Sequence, residues 1–146
     1  MKTRAFGSGR PVSLFTLGTM RALNSAAQMA EVLDAAAAAG INHLETAPAY
    51  GPAERFLGEA LRQNSRTDSD HWVVTSKLLP GLSFEEGQRR LDQILERLGC
   101  PQLDNLAIHG LNREEHLDWA LVGDGSRLCL LYTSDAADEE DSVDLG

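Results

Sequence analysis

The chain has 146 residues, 42% hydrophobic and 24% charged, a profile that fits a soluble globular domain and excludes collagen, a coiled coil or wholesale disorder. Thirteen Lys plus Arg stand against 22 Asp plus Glu, a formal net charge of −9 with no basic cluster, so no nucleic-acid partner is expected. The longest apolar stretch, 35–41, falls far short of the roughly 20 residues a membrane span needs, and Met-Lys-Thr-Arg leads into no hydrophobic signal segment, so a cytoplasmic protein with no membrane partner is expected. Cys100 and Cys129 supply neither a disulfide framework nor zinc-ligand spacing.

Residues 2–6, the turn-forming Gly7-Ser8-Gly9-Arg10-Pro11 and Val12 read as a small hairpin covering one end of a sheet. Gly7 and Gly9 begin like a dinucleotide fingerprint, but Val12 stands where the third Gly belongs and no helix follows, so a Rossmann fold is rejected. Residues 13–17 are β-prone, and Ser25 can cap a helix that ends at Gly40 as its C′ residue. Residues 41–45 form a second predicted strand, followed by a helix over 53–63 whose Phe56, Leu57, Ala60 and Leu61 share a stripe. Residues 72–76 are the third strand. Ser83 and Glu86 make a capping box for a helix through Leu98, with Leu91, Ile94, Leu95 and Leu98 on one face. Residues 103–109 are the fourth strand, and Asn112 with Glu115 offers another capping box before a helix that Gly123-Asp124-Gly125 interrupts.

Strands alternating with helices imply right-handed βαβ crossovers and a parallel sheet. Four such units are half of an eight-unit barrel, which takes about 250 residues when complete. The predicted fold is therefore α/β, an incomplete (β/α)8 TIM barrel of four βα units preceded by a hairpin, in a domain over 1–128. Residues 129–146 differ sharply: they hold six acids and no Lys or Arg, whereas 1–128 carry 16 acids against all 13 bases, net −3. That segment is predicted to be an acidic disordered tail. Its Cys-Leu-Leu-Tyr-Thr-Ser-Asp-Ala-Ala-Asp and closing Val-Asp-Leu-Gly resemble a translated transposon-end sequencing adapter, so the native coding sequence is expected to end near Leu128.

Chemistry in a parallel α/β barrel sits at the carboxyl ends of the strands. There the second strand ends at Glu45, its loop carries Tyr50, the third delivers Lys77 and the fourth delivers His109. A carboxylate, a phenol, an amine and an imidazole form a proton-transfer set. A phenol is too weak an acid near neutral pH unless a cation favours its phenolate; Lys77 would be that cation, Glu45 would hold Lys77 charged and oriented, and His109 could direct a carbonyl.

These residues resemble the aldo-keto reductase family. Gly40-Ile41-Asn42-His43-Leu44-Glu45-Thr46-Ala47-Pro48-Ala49-Tyr50-Gly51, Glu54 and Leu57-Gly58-Glu59-Ala60-Leu61 look like its acid-Thr-Ala signature, its Tyr five residues past the acid and its Gly-x-Ala-Leu helix. Val74-Thr75-Ser76-Lys77 is similar to its lysine strand, residues 103–110 to its histidine strand, and Leu17-Gly18-Thr19-Met20 to its first strand and loop. The resemblance covers residues 2–121. It implies reversible reduction of an aldehyde or ketone, a small carbonyl substrate, by hydride from NADPH or NADH. Tyr50 would be the general acid, Lys77 its pKa-lowering neighbour and His109 the carbonyl guide. Gly18, Thr19, Met20 and Glu45 would lie near the nicotinamide and its ribose. Most cofactor contacts in the family come from later strands, so weak or absent cofactor binding and an inactive fragment are expected. Glu45 stands where the family usually has Asp, an arm longer by roughly 1.5 Å.

The alternative is a cofactor-sensing or partner-binding barrel of this kind without catalysis. His43 and Glu45 share a strand face but lack a third ligand, so no metal is expected and His43 reads as a hydrogen-bonded interior residue. His71 and His116 read as surface, and Trp72 and Trp119 as packing anchors. The adapter origin predicts that the source DNA reads TGT-CTC-TTA-TAC-ACA-TCT at Cys129–Ser134; sequencing that finds other synonymous codons there overturns it.

Overall fold

The computed structural model describes residues 1–6, 9–22, 24–63 and 71–134, with backbone alone for 130–134; Gly7, Ser8 and the acidic segment from 135 onward lie outside the described residues. The order is β1 (Thr3–Arg4), β2 (Val12–Ser13), β3 (Thr16–Gly18), α1 (Ala26–Ala38), β4 (His43–Glu45), α2 (Ala53–Gln63), β5 (Val73–Leu78), α3 (Phe84–Leu98), β6 (Asn105–Ile108), α4 (Glu114–Leu121) and α5 (Asp124–Ser134). Strands β3-β4-β5-β6 form one parallel sheet in chain order, and β1 and β2 form a separate antiparallel pair. Four βα units after a hairpin are half of a (β/α)8 barrel, with β3 and β6 as the edges of the sheet.

Helix ends follow local chemistry. Ser25 accepts the Gln28 amide at 3.1 Å, and Ser83 the Glu86 amide at 3.3 Å. After α1 and α3 the chain turns through Gly40 (φ 78°) and Gly99 (φ 67°), in the left-handed region where a Cβ is penalised. The fourth helix is the exception: Arg113 is the N-cap with no side-chain capping bond, and Glu115 pairs with Arg113, so the capping box expected of Asn112 and Glu115 does not form. The segment does break, but at Val122 and Gly123 between α4 and α5, with Gly125 inside the first turn of α5.

The β-prone run 13–17 also divides. Ser13 belongs to the hairpin, where its amide reaches Asn42 Oδ1 (2.7 Å) and its hydroxyl donates to the Phe15 carbonyl (2.6 Å). Those bonds turn the chain at Leu14 and Phe15, both exposed, leaving only Thr16–Gly18 to pair with β4. The hairpin covers the amino ends of the strands. Arg10 donates to the Trp72 carbonyl (2.6 Å) and to Asp104 Oδ1 (2.7 Å), while Asp104 Oδ2 accepts the Val74 amide (2.8 Å). Asp104 thus supplies to β5 the acceptor that β6, starting at Asn105, does not.

Alternation along the strands gives the sheet two faces. Leu17, Leu44, Val74 and Leu78 meet Met29 and Leu33 of α1, Leu57 and Ala60 of α2, and Ile94 and Leu98 of α3 in one apolar core. The other face, the inner wall of the half-barrel, carries Thr16, His43, Glu45, Thr75 and Lys77. Leu128 of α5 is buried over Gly87 of α3, where a Cβ would collide with it. Helix α5 runs on to Ser134, and the rest of the expected tail lies outside the described residues.

Gly58 lies where α2 crosses the end of α3, and a Cβ there would run into the Arg97 carbonyl. Beside it Glu54, 1% exposed, accepts from Ser76 Oγ and Arg97 Nε, both at 2.6 Å. One carboxylate therefore ties α2 to β5 and α3. Glu54→Ala leaves the buried Ser76 hydroxyl and the Arg97 guanidinium without it and is expected to cost on the order of 3 kcal/mol in urea unfolding; a loss below about 1 kcal/mol refutes that role.

Candidate active site

At the carboxyl ends of the strands each connection is held tightly. Thr46 continues β4 by giving its amide to the Thr75 carbonyl (2.9 Å), and its hydroxyl accepts from Thr19 at 2.9 Å. Both threonines and Ala47 are buried, so the loop leaves β4 in a fixed direction. Tyr50 N bonds the Ala47 carbonyl (3.0 Å), Ala53 N bonds the Tyr50 carbonyl (3.2 Å), and Gly51 takes the positive φ of 61° that swings the chain into α2. His109 lies one residue past β6, yet its amide still bonds the Leu78 carbonyl at 2.7 Å. The imidazole is thereby held at the end of β5.

Three of the four expected residues meet directly. Lys77 Nζ donates to Tyr50 Oη at 2.5 Å and contacts the Glu45 carboxylate. Tyr50 Oη lies 3.5 Å from Glu45 Oε1, at the outer limit for a hydrogen bond. The register explains the meeting: Glu45 pairs with Thr75, so Lys77 projects two residues beyond it on the same face, and the long Glu arm spans the gap between strands. His109 joins through Tyr50, its ring edge-on to the phenol with centroids 5.7 Å apart at 84°. The ammonium also lies 4.6 Å from the Tyr50 ring centroid.

The electrostatics follow from dehydration. Lys77 has a side chain only 13% exposed, and burial lowers its pKa below the usual lysine value. His109 is lowered too, by burial first and by the Lys77 charge second, so its imidazole is neutral near pH 7.

The four residues expected near a nicotinamide separate. Gly18 ends β3 against Glu45, where even a Cβ would come within 3.7 Å of Oε2, so a bare strand end borders the carboxylate. Met20 is 45% exposed beyond it. Those features fit one edge of a flat ring. Thr19 is different, because it is 1% exposed with its hydroxyl bound to Thr46 and its amide to the Glu45 carbonyl (3.0 Å). It braces the loop.

The inner wall below the site holds a network that the sequence only partly signalled. His43 Nδ1 meets Thr16 Oγ1 and His43 Nε2 meets Thr75 Oγ1, each at 2.9 Å, so one ring bridges β3, β4 and β5. His43 was legible as interior, but its two threonine partners were not singled out; the alternation that aligns Thr75 with Lys77 was the available signal. At the opposite end of the sheet a cavity of about 410 Å³ is bordered by Arg10, Arg62, Trp72, Cys100 and Asp104 and includes none of the expected site residues.

Comparison with known proteins agrees with this architecture. The model of the aldo/keto reductase family matches residues 14–136. A structure described as an aldo-keto reductase from Pseudomonas aeruginosa superposes with a TM-score of 0.78 at 27% identity, covering 91% of this chain and 55% of that one. An aldo-keto reductase from Bacillus halodurans in its holo form gives 0.76 at 21% identity over 92% of this chain and 47% of its own. One from Brucella melitensis gives 0.72 at 21% identity over 92% and 49%. The last two bear on the fold alone. This chain spans about half the length of each.

Burial also lowers the His43 pKa, with the Asp104 charge opposing. The unfolded chain takes up this proton near pH 6.5 and the folded chain only below that, so the stability His43 contributes is full above about pH 6.5 and is lost as pH falls through the folded value. The stability gap between the protein and His43→Gln is therefore expected to narrow between pH 7 and 5 in urea titrations; a constant gap overturns it.

Proposed function

The chain belongs to the aldo/keto reductase family, and we propose that it forms the first half of an oxidoreductase barrel that interconverts an aldehyde or ketone and its alcohol with NADPH or NADH. The observation that carries this is the Lys77–Tyr50 hydrogen bond with Glu45 at the same ammonium. When bound, the nicotinamide supplies the hydride; Gly18, Met20 and Glu45 would border it, and the remainder of its site would come from the other half of the barrel.

The chain's own residues manage the proton. Tyr50 Oη is the acid that protonates the carbonyl oxygen, and Lys77, already donating to the phenol oxygen, stabilises the phenolate left behind. Glu45 fixes the direction of the ammonium. The neutral His109 donates a hydrogen bond to the carbonyl oxygen and sets the approach of the substrate across the phenol edge. Low exposure of Lys77 strengthens its effect, since a charge removed from water acts at lower effective dielectric.

The test is NADPH oxidation with small aldehydes by this chain continued through the second half of the barrel. Tyr50→Phe is expected to lower kcat by about 10²–10⁴, and Lys77→Met to cost more turnover than His109→Ala. Equal, negligible losses refute the assigned roles, and cofactor binding without turnover favours a sensing barrel. The 146-residue chain should bind NADPH weakly or not at all.

A further inference from the structure

Lys77 carries more chemistry than the positioning of a phenol requires. The chain has only two lysines, Lys77 and Lys2 close to the amino terminus. Lys77 is mostly withdrawn from water, in contact with the Glu45 carboxylate and 2.5 Å from Tyr50 Oη. The carboxylate in contact with the ammonium can take its proton in a minor fraction of molecules, leaving a neutral amine beside a carboxylic acid, a pair that needs less solvation than two charges. Burial of the amine, which lowers its pKa, favours that transfer. A neutral lysine amine is a nucleophile toward carbonyl carbon. An acid for the carbonyl oxygen, Tyr50, stands beside it, with a second proton carrier, Glu45, on the same nitrogen.

We propose that Lys77 captures small aldehydes covalently as an imine, with Tyr50 and Glu45 carrying the protons. Glu45 first takes a proton from the ammonium. The nitrogen lone pair then bonds to the carbonyl carbon as the oxygen takes the Tyr50 proton. The phenolate recovers a proton from the new secondary ammonium, giving a neutral carbinolamine. Glu45 returns its proton to the hydroxyl, which leaves as water while the nitrogen pair forms the C=N bond. Ammonium plus aldehyde become iminium plus water, with no change of oxidation level and both proton carriers restored.

This rests on the reading that the mouth of the sheet admits a carbonyl, but it needs no hydride donor. It is tested on the 146-residue chain with propanal and cyanoborohydride at pH 7, the trapped propyl-lysine being located by peptide mass spectrometry. Lys77 is expected to be modified at least about tenfold faster than Lys2, an advantage that urea unfolding abolishes. Tyr50→Phe and Glu45→Gln should each slow Lys77 by about fivefold or more and leave Lys2 unchanged. Modification of Lys77 no faster than Lys2 in the folded chain overturns the proposal, as does an advantage that survives urea or the Tyr50→Phe change. Failure of capture alongside NADPH oxidation by the longer protein refutes only the imine; capture without oxidation refutes only the reductase.

Discussion

Everything at the carboxyl end of the sheet depends on how β5 lies against β4. With Glu45 opposite Thr75, Lys77 rises two residues beyond the carboxylate on the same face, and its ammonium reaches both Glu45 and the phenol brought over by the loop. A slip of one residue would turn Lys77 toward the helices and Ser76 toward the site. Two buried polar contacts oppose that slip. His43 bridges Thr16 and Thr75 on the inner face, and Glu54 holds Ser76 on the outer face. Both faces of β5 are therefore tied by hydrogen bonds that have no good substitute in another register.

The two ends of the half-barrel gather different groups. At the amino ends, the hairpin, Arg10, Asp104 and Asn42 satisfy backbone groups where the strands begin. At the carboxyl ends, backbone bonds hold the loops while polar side chains gather: a dehydrated ammonium, a carboxylate, a phenol and a neutral imidazole. Barrels place stabilising contacts and reactive groups at opposite ends in the same way. The long Glu45 arm shows the precision required, since the extra methylene is accommodated across the β4–β5 gap and the carboxylate still meets Lys77.

Much of this could be read along the chain, because helices and their ends are local. Ser25, Ser83, Gly40 and Gly99 act within a few residues of themselves, and α2 ran as its apolar stripe indicated. Strand limits were less legible, since pairing depends on what lies alongside: β3 lost Ser13 to the hairpin, and β5 extended to Leu78 as β6 provided a neighbour. The Asn112 capping box illustrates the same limit, a correct local pattern that the surrounding structure did not use. Thr19 is a further case, adjacent to the expected cofactor edge in sequence but turned inward to brace the Glu45 loop.

The order of residue types along the chain was enough to determine four βα units, their parallel sense and the placing of Glu45, Tyr50, Lys77 and His109 at one end of the strands, because alternation and crossover handedness leave few other arrangements. Only the tertiary structure decided that the Glu45 and Tyr50 atoms converge on one ammonium, that Thr75 and Thr16 hold His43 beneath them, and that Glu54 clamps Ser76 from behind. Those contacts join residues far apart in the chain over distances of a few ångströms, and such distances depend on register and packing that no local pattern encodes.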